Sequence, residues 1–120
     1  MRDFRELRVW TKAHGPTLSV YRASASFPRS EVHALASQMR RSATSIPANI
    51  AEGSGRDTNP ELGRFLRIAL GSASELGYYL LLARDLECLT RPVYDTLARE
   101  VTDVKRMLTG FTRKLKAAEG

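Results

Sequence analysis

A proline and an asparagine stand inside a stretch that otherwise has the periodicity of one long amphipathic helix, in the run Ser45-Ile46-Pro47-Ala48-Asn49-Ile50-Ala51-Glu52-Gly53. Val32, Leu35, Met39, Ile46 and Ile50 keep helical spacing on both sides of it, which predicts a helix that runs through Pro47 with a kink. A mid-helix proline removes one backbone donor and crowds the carbonyl four residues back, here Ala43, at a cost of about 3 kcal/mol. Asn49 shares the seam of Leu35, Met39, Ser42 and Ile46, so a buried amide with specific hydrogen-bond partners is expected.

Three further helices follow from pattern and punctuation. The first covers about residues 5–25, with Trp10, Ala13, Thr17, Val20 and Ser24 on one stripe, and Phe27-Pro28 ends it. Ser30 is placed to cap the proline-bearing helix, and the paired glycines of Gly53-Ser54-Gly55 to stop it. Asn59-Pro60-Glu61 reads as a helix start, with a capping side chain, a proline where its missing donor matters least, and an acid facing the dipole. That third helix continues to about residue 86. Thr90 and Pro92 open the fourth, where Tyr94, Leu97, Val101, Val104, Leu108, Phe111 and Leu115 repeat by threes and fours without a break. Short connections make neighbouring helices antiparallel, so the expected fold is all-α, an up-down-up-down four-helix bundle in a single domain over residues 1–120. No alternating pattern of strand type competes with it.

Composition narrows the class. The longest unbroken apolar run is the six residues of 78–83, too short for a membrane span or a signal-peptide core. One cysteine, Cys88, cannot form an internal disulfide, and a cytoplasmic protein is expected. Nineteen basic residues against thirteen acidic ones give a net charge of +6, and fifteen of the nineteen are arginine. Arginine pairs with phosphate or carboxylate through a two-point fork, so nucleic acid is a candidate partner, although arginine enrichment also follows from genomic base composition.

Residues 45–53, preceded by Gln38-Met39-Arg40-Arg41-Ser42-Ala43 and followed by Phe65-Leu66-Arg67-Ile68-Ala69-Leu70-Gly71-Ser72 with Glu75-Leu76, resemble the four-helix bundle family found in intervening sequences of bacterial 23S ribosomal RNA genes. Phe4, Leu7, Val9-Trp10, Ala13, Val20-Tyr21 and Phe27-Pro28 fit the same pattern, whereas Gly15-Pro16 departs from it. The resemblance implies a ring-shaped homopentamer. It also implies a kinship with the pentameric accessory proteins of diversity-generating retroelements, which makes RNA or DNA a reasonable partner.

Several residues become candidates on this basis. Arg56, Arg64 and Arg67, around the turn between the second and third helices, are nominated for phosphate contact, with Lys105, Arg106, Arg113, Lys114 and Lys116 as a second patch. Cations near a helix C-terminus also simply complement its dipole. Pairing the second and third helices about their turn sets Arg40 opposite Glu75, Ala43 opposite Ser72 and Ile50 opposite Phe65. An ion pair of Arg40 or Arg41 with Glu75 is the expected structural reading, the alternative leaving the arginines free for phosphate. Small residues at Ala43, Gly71, Ser72, Ala73 and Gly77 would then let the two backbones approach. Ser45, Pro47, Asn49, Glu52, Gly53 and Ser72 are expected to act structurally, with Asn49 and Glu52 satisfying groups released by Pro47 or bonding across the bundle. Residues 76–83 are apolar or small all round the helix, so Leu76, Tyr78, Tyr79, Leu81 and Leu82 are expected to meet another copy of the chain.

Enzyme signatures are sparse. His14, His33 and Cys88 do not make a zinc set, and Gly53-Ser54-Gly55 lacks the strand and the Gly-Lys-Ser/Thr ending of a phosphate loop. No catalytic residue, metal, cofactor or small-molecule substrate is assigned. Arg8 and His14 have five residues between them, a poor match to the arginine–histidine pair of HEPN-type ribonucleases and the remotest reading. The expected function is a non-enzymatic oligomeric scaffold that binds nucleic acid, the alternative an adaptor that binds a protein through the apolar face of the third helix.

Overall fold

The computed structural model describes residues 3–28 and 32–119. Four helices account for most of them: α1 (Arg8–Ser24), α2 (His33–Ser54), α3 (Asn59–Asp85) and α4 (Arg91–Glu119), and no strand occurs among the described residues. Each helix packs on its neighbours in sequence and α1 closes the set against α4, while the diagonals α1–α3 and α2–α4 do not meet among the described residues. The result is a four-sided rod with extents of 49 × 20 × 20 Å. A closed square of helices joined by short turns is what the four apolar seams require.

The core follows the predicted seams. Met39, Ile46 and Ile50 of α2, Leu66, Leu76 and Leu80 of α3, and Leu97, Val101, Val104 and Leu108 of α4 are buried together with Ala13 and Val20 of α1. Tyr94 and Phe111 of the α4 seam are partly buried and pack against this core, which Leu115 closes at the far end of the seam.

Helix boundaries differ from the sequence reading in instructive places. The chain enters through a 3-10 turn, Phe4–Glu6, and α1 proper starts only at Arg8. The Asp3 side chain caps that turn by accepting from Arg5 N at 2.9 Å. The Arg5 guanidinium hydrogen-bonded to Asp3 holds its carboxyl below the usual carboxylate range. Pro16 lies inside α1, buried, and the helix continues through it. Ser30, the expected cap of α2, lies outside the described residues, and Val32 occupies the N-cap position without a side-chain bond. On α3 the cap is Thr58 rather than Asn59: its hydroxyl accepts from Glu61 N, and Asn59 is already helical. The capping logic is right and the position is one residue early.

The glycines that end α2 also behave differently from expectation. Gly55 sits at the C-cap with φ −86°, in the right-handed region, so no left-handed glycine cap forms there. Gly53 is needed for space. A Cβ built on it would fall 2.8 Å from the Phe65 Cβ and 3.1 Å from a Leu62 methyl, so only hydrogen fits between α2 and α3 at this point. Gly71 and Gly77 show no such neighbour within 4 Å, and the close approach expected of them occurs at Gly53 instead.

Candidate nucleic-acid interface

The proline motif is structural in its geometry. With no N–H on Pro47, the Ala43 carbonyl loses its helical partner. It is recovered from across the bundle: Thr17 Oγ1 of α1 donates towards Ala43 O at 3.0 Å, sharing its hydrogen with Ala13 O at 2.9 Å. Asn49 is half-buried rather than buried. Its Nδ2 donates to Ser45 O at 2.8 Å and to Ser45 Oγ at 2.9 Å, and Ser45 Oγ meets Ser72 Oγ of α3 at 2.7 Å. Asn49, Ser45 and Ser72 thus form a satisfied chain tying α2 to α3, which fixes their register. Ser45 lies opposite Ser72 and Gly53 opposite Phe65, so the register runs two to three residues away from the one expected.

Glu52 takes no part in that network. It accepts from Arg56 at 2.9 Å one turn later, both side chains being exposed. The Arg40–Glu75 pairing is corrected as well. Arg40 turns to α1, where Nε donates to Ser24 Oγ at 2.8 Å, Nη2 donates to Tyr21 O at 3.2 Å, and the guanidinium lies 5.0 Å over the Tyr21 ring. The register set by Ser45 on Ser72 moves Glu75 off the level of Arg40, and a hydroxyl and a carbonyl near the end of α1 supply fixed acceptors instead. Arg41 and Glu75 are exposed, and among the described residues no ion pair joins Glu75 to either arginine.

The arginines nominated at the α2–α3 turn are arranged about one aromatic plate. Phe65 is buried, with the Arg56 guanidinium 4.9 Å and that of Arg64 4.6 Å from its ring centroid. Stacking of this kind holds a guanidinium at a defined place while leaving its hydrogen-bonding edge in water. Arg56 spends one donor on Glu52; Arg64 is exposed. Arg67, also exposed, lies alongside Gly63, one turn earlier on α3.

Antiparallel packing of α3 on α4 brings the two nominated patches into contact. Arg67 and Gly63 of α3 line a shallow groove of about 190 Å³ whose other wall is Thr112, Leu115 and Lys116 of α4. Glu119 is the one acid on its rim. Arg106 and Arg113 are exposed and Lys105 half-buried along the outer side of α4, bordering one further shallow depression, while Lys114 faces the α1–α4 groove with Arg8. Lys105, Arg106, Arg113, Lys114 and Lys116 therefore wrap around α4 rather than forming one flat surface. Arg67 and Lys116 share one groove, and Arg64 stands one turn before Arg67 on α3.

The expected oligomer surface divides in two. Leu76 is fully buried in the chain's own core and cannot meet a partner, a correction that follows from its place on the stripe Ala69, Ala73, Leu76, Leu80, Ala83. Tyr79 packs on that core and Leu81 and Leu82 are half-buried, whereas Tyr78 is 57% exposed. Ile68, ten residues earlier on α3, is 41% exposed and was not singled out by the run of apolar residues. A second surface escaped the sequence reading. Trp10, His14, Leu18 and Tyr21 of α1 face Thr44, Pro47, Ala48 and Ala51 of α2 across an apolar groove of about 530 Å³. The spacing of those α1 residues by threes and fours was the available signal. His14 stacks on Trp10 at 4.7 Å in this groove, whereas Arg8 lines the α1–α4 groove. The two side chains line different grooves of the same chain.

No group of three or more His, Cys, Asp or Glu side chains that could hold a metal ion occurs among the described residues. No helix among them is long and apolar enough to cross a membrane. Comparison with known families matches residues 5–110 to the family described as 23S rRNA-intervening sequence protein. A solved structure of a protein of unknown function from the S23 ribosomal protein family of Bacteroides thetaiotaomicron is similar, with 25% identity, a TM-score of 0.79, and coverage of 88% of this chain and 95% of that one. No curated protein sequence matches the chain.

Proposed function

The chain belongs to the 23S rRNA-intervening sequence protein family, and from that premise we propose that it is a non-enzymatic, cytoplasmic, self-assembling helical scaffold that binds RNA or DNA through its arginine-rich surface. The observation that carries this reading is the meeting of Arg67 and Lys116 across the α3–α4 groove, with Arg64 beside them on the Phe65 plate. Two stretches far apart in sequence form one cationic track there, and phosphate is the ligand that exposed arginine forks and ammonium groups match best. No free aromatic face lies along that track, so contacts would be to the backbone, with little base readout. Assembly into a ring, five-fold by family resemblance, would repeat the track around an axis and make binding multivalent.

Fluorescence anisotropy with labelled RNA and DNA oligonucleotides tests the proposal. Binding is expected at about 50 mM salt and its loss when Arg64, Arg67 and Lys116 are replaced by glutamate, with the fold and assembly retained. No binding to either nucleic acid at that salt would sink it. The exposure of Ile68 and Tyr78 on α3 favours a second reading, an adaptor for another protein, whose binding would persist at high salt.

A further inference from the structure

Two exposed faces of this rod match each other and cannot meet within one chain. The first is the α1–α2 groove, where Leu18 is 41% and Tyr21 45% exposed above a floor of Pro47, Ala48 and Ala51. Thr44 and Ala48 of α2 line it, and Arg41 continues their exposed row one turn beyond the groove, the three spaced by threes and fours. The second is the outward row of α3: Ile68, Gly71, Glu75 and Tyr78, likewise exposed and likewise spaced. Arg41 and Ala48 are seven residues apart, as are Glu75 and Ile68, a rise of about 10 Å in either helix. If α3 of another copy lies antiparallel to α2 in the groove, Glu75 falls on Arg41 when Ile68 falls on Ala48. Gly71 then sits at the level of Thr44.

Three independent features point the same way. Arg41 and Glu75 are exposed charges of opposite sign without an ion-pair partner among the described residues. Gly71, in the middle of α3, has nothing within 4 Å of where a Cβ would stand. The outer side of α3 is thus open there to an approaching backbone. The groove, moreover, is already partly filled by its own rings: His14 stacks on Trp10, Phe4 meets Trp10 edge-on, and Arg40 lies over Tyr21. Leu18, Pro47, Ala48 and Ala51 make the rest of it apolar, so the groove suits an apolar helical ridge.

We infer that the outward row of α3 in one copy docks in the α1–α2 groove of the next, with Arg41 and Glu75 paired between subunits. This rests on the self-assembly proposed above and names the surfaces that carry it. The two surfaces are unlike, so the contact is heterologous, the kind that closes a ring of more than two subunits.

Light scattering on charge-reversal and mixing variants decides it. Arg41→Glu alone and Glu75→Arg alone should each shift the wild-type assembly to smaller species, and the double variant should restore it. Ala48→Arg and Gly71→Arg, both at exposed helix positions, should each be dissociated on their own. Mixed together, each supplies the face the other lacks, and a species of twice the 13.4 kDa chain mass should appear. Variants that stay assembled while the wild type is oligomeric overturn these surfaces and leave the self-assembly reading standing; loss of assembly in Gly71→Arg alone, with Ala48→Arg unaffected, means an α3-to-α3 contact and also overturns the inference. A wild-type chain at 13.4 kDa overturns both.

Discussion

Replacing Gly53 by alanine should destabilise the bundle, against the rule for helical glycines. In an unobstructed helix interior the change stabilises by about 1 kcal/mol, through helix propensity and the restricted unfolded chain. At Gly53 the added methyl meets the Phe65 Cβ at 2.8 Å, a Leu62 methyl at 3.1 Å and the Leu62 carbonyl at 3.4 Å. The first of these atoms is fixed to the α3 backbone, so rotamer change cannot relieve it and the helices must separate. Overpacking of this kind costs about 1–3 kcal/mol. Parting α2 from α3 also strains the Ser45–Ser72 contact of 2.7 Å. The net expectation is a loss of up to about 2 kcal/mol. Gly110, in α4 with nothing within 4 Å, is the internal control: Gly110→Ala should gain about 0.5–1 kcal/mol. Urea unfolding at one fixed protein concentration reads both, since assembly makes stability concentration-dependent. A Gly53→Ala variant as stable as Gly110→Ala would refute the close-approach account of the motif's last residue.

Further expectations follow from the polar contacts. Thr17→Val should cost about 1–3 kcal/mol by orphaning the buried Ala43 carbonyl, and much less in a Pro47→Ala background, where a backbone N–H again serves that carbonyl; a double-mutant cycle without coupling would contradict the cross-helix rescue. Asn49→Leu should cost about 1 kcal/mol, at the low end for a lost hydrogen bond because the site is half-buried, and an unchanged unfolding midpoint would mean the Ser45–Ser72 contact holds the register alone. Asp3 has its folded pKa lowered from 3.8 by Arg5, so its contribution to the N-terminal turn is complete above the unfolded value and is lost as pH falls through the folded one. Amide chemical shifts of residues 4–6 should follow that titration in the wild type and not in Asp3→Asn.

The α4 seam was legible residue by residue, because an uninterrupted repeat by threes and fours has one solution. Chain order and antiparallel packing were legible for the same reason, as the turns are too short for anything else. Register was not. It is set by Gly53 against Phe65 and by Ser45 on Ser72, contacts that depend on side-chain size and hydroxyl direction rather than on hydrophobic period. A shift of two to three residues was enough to suggest a pairing of Arg40 with Glu75 that the fold does not make. Leu76 was misread because an apolar stretch does not say which of its members face inward; the small residues Ala69, Ala73 and Ala83 on its stripe mark the buried side. The Arg67–Lys116 track could not be seen from either segment alone, since it exists only through α3–α4 packing. The rescue of Ala43 by Thr17 likewise joins residues that no local pattern connects.

The claim on which the functional account turns is that phosphate is bound by the track formed by Arg64, Arg67 and Lys116. The most direct test is the salt dependence of affinity for a labelled RNA or DNA oligonucleotide, followed by anisotropy in wild type and in a variant with those three residues changed to alanine. Each phosphate contact contributes about 0.7–0.9 to the slope of log affinity against log salt, so the variant's slope should be shallower by about 2 for each assembled track engaged. A wild type that binds with the same slope as the variant would contradict the account, and would move the search for a partner to the apolar face of α3.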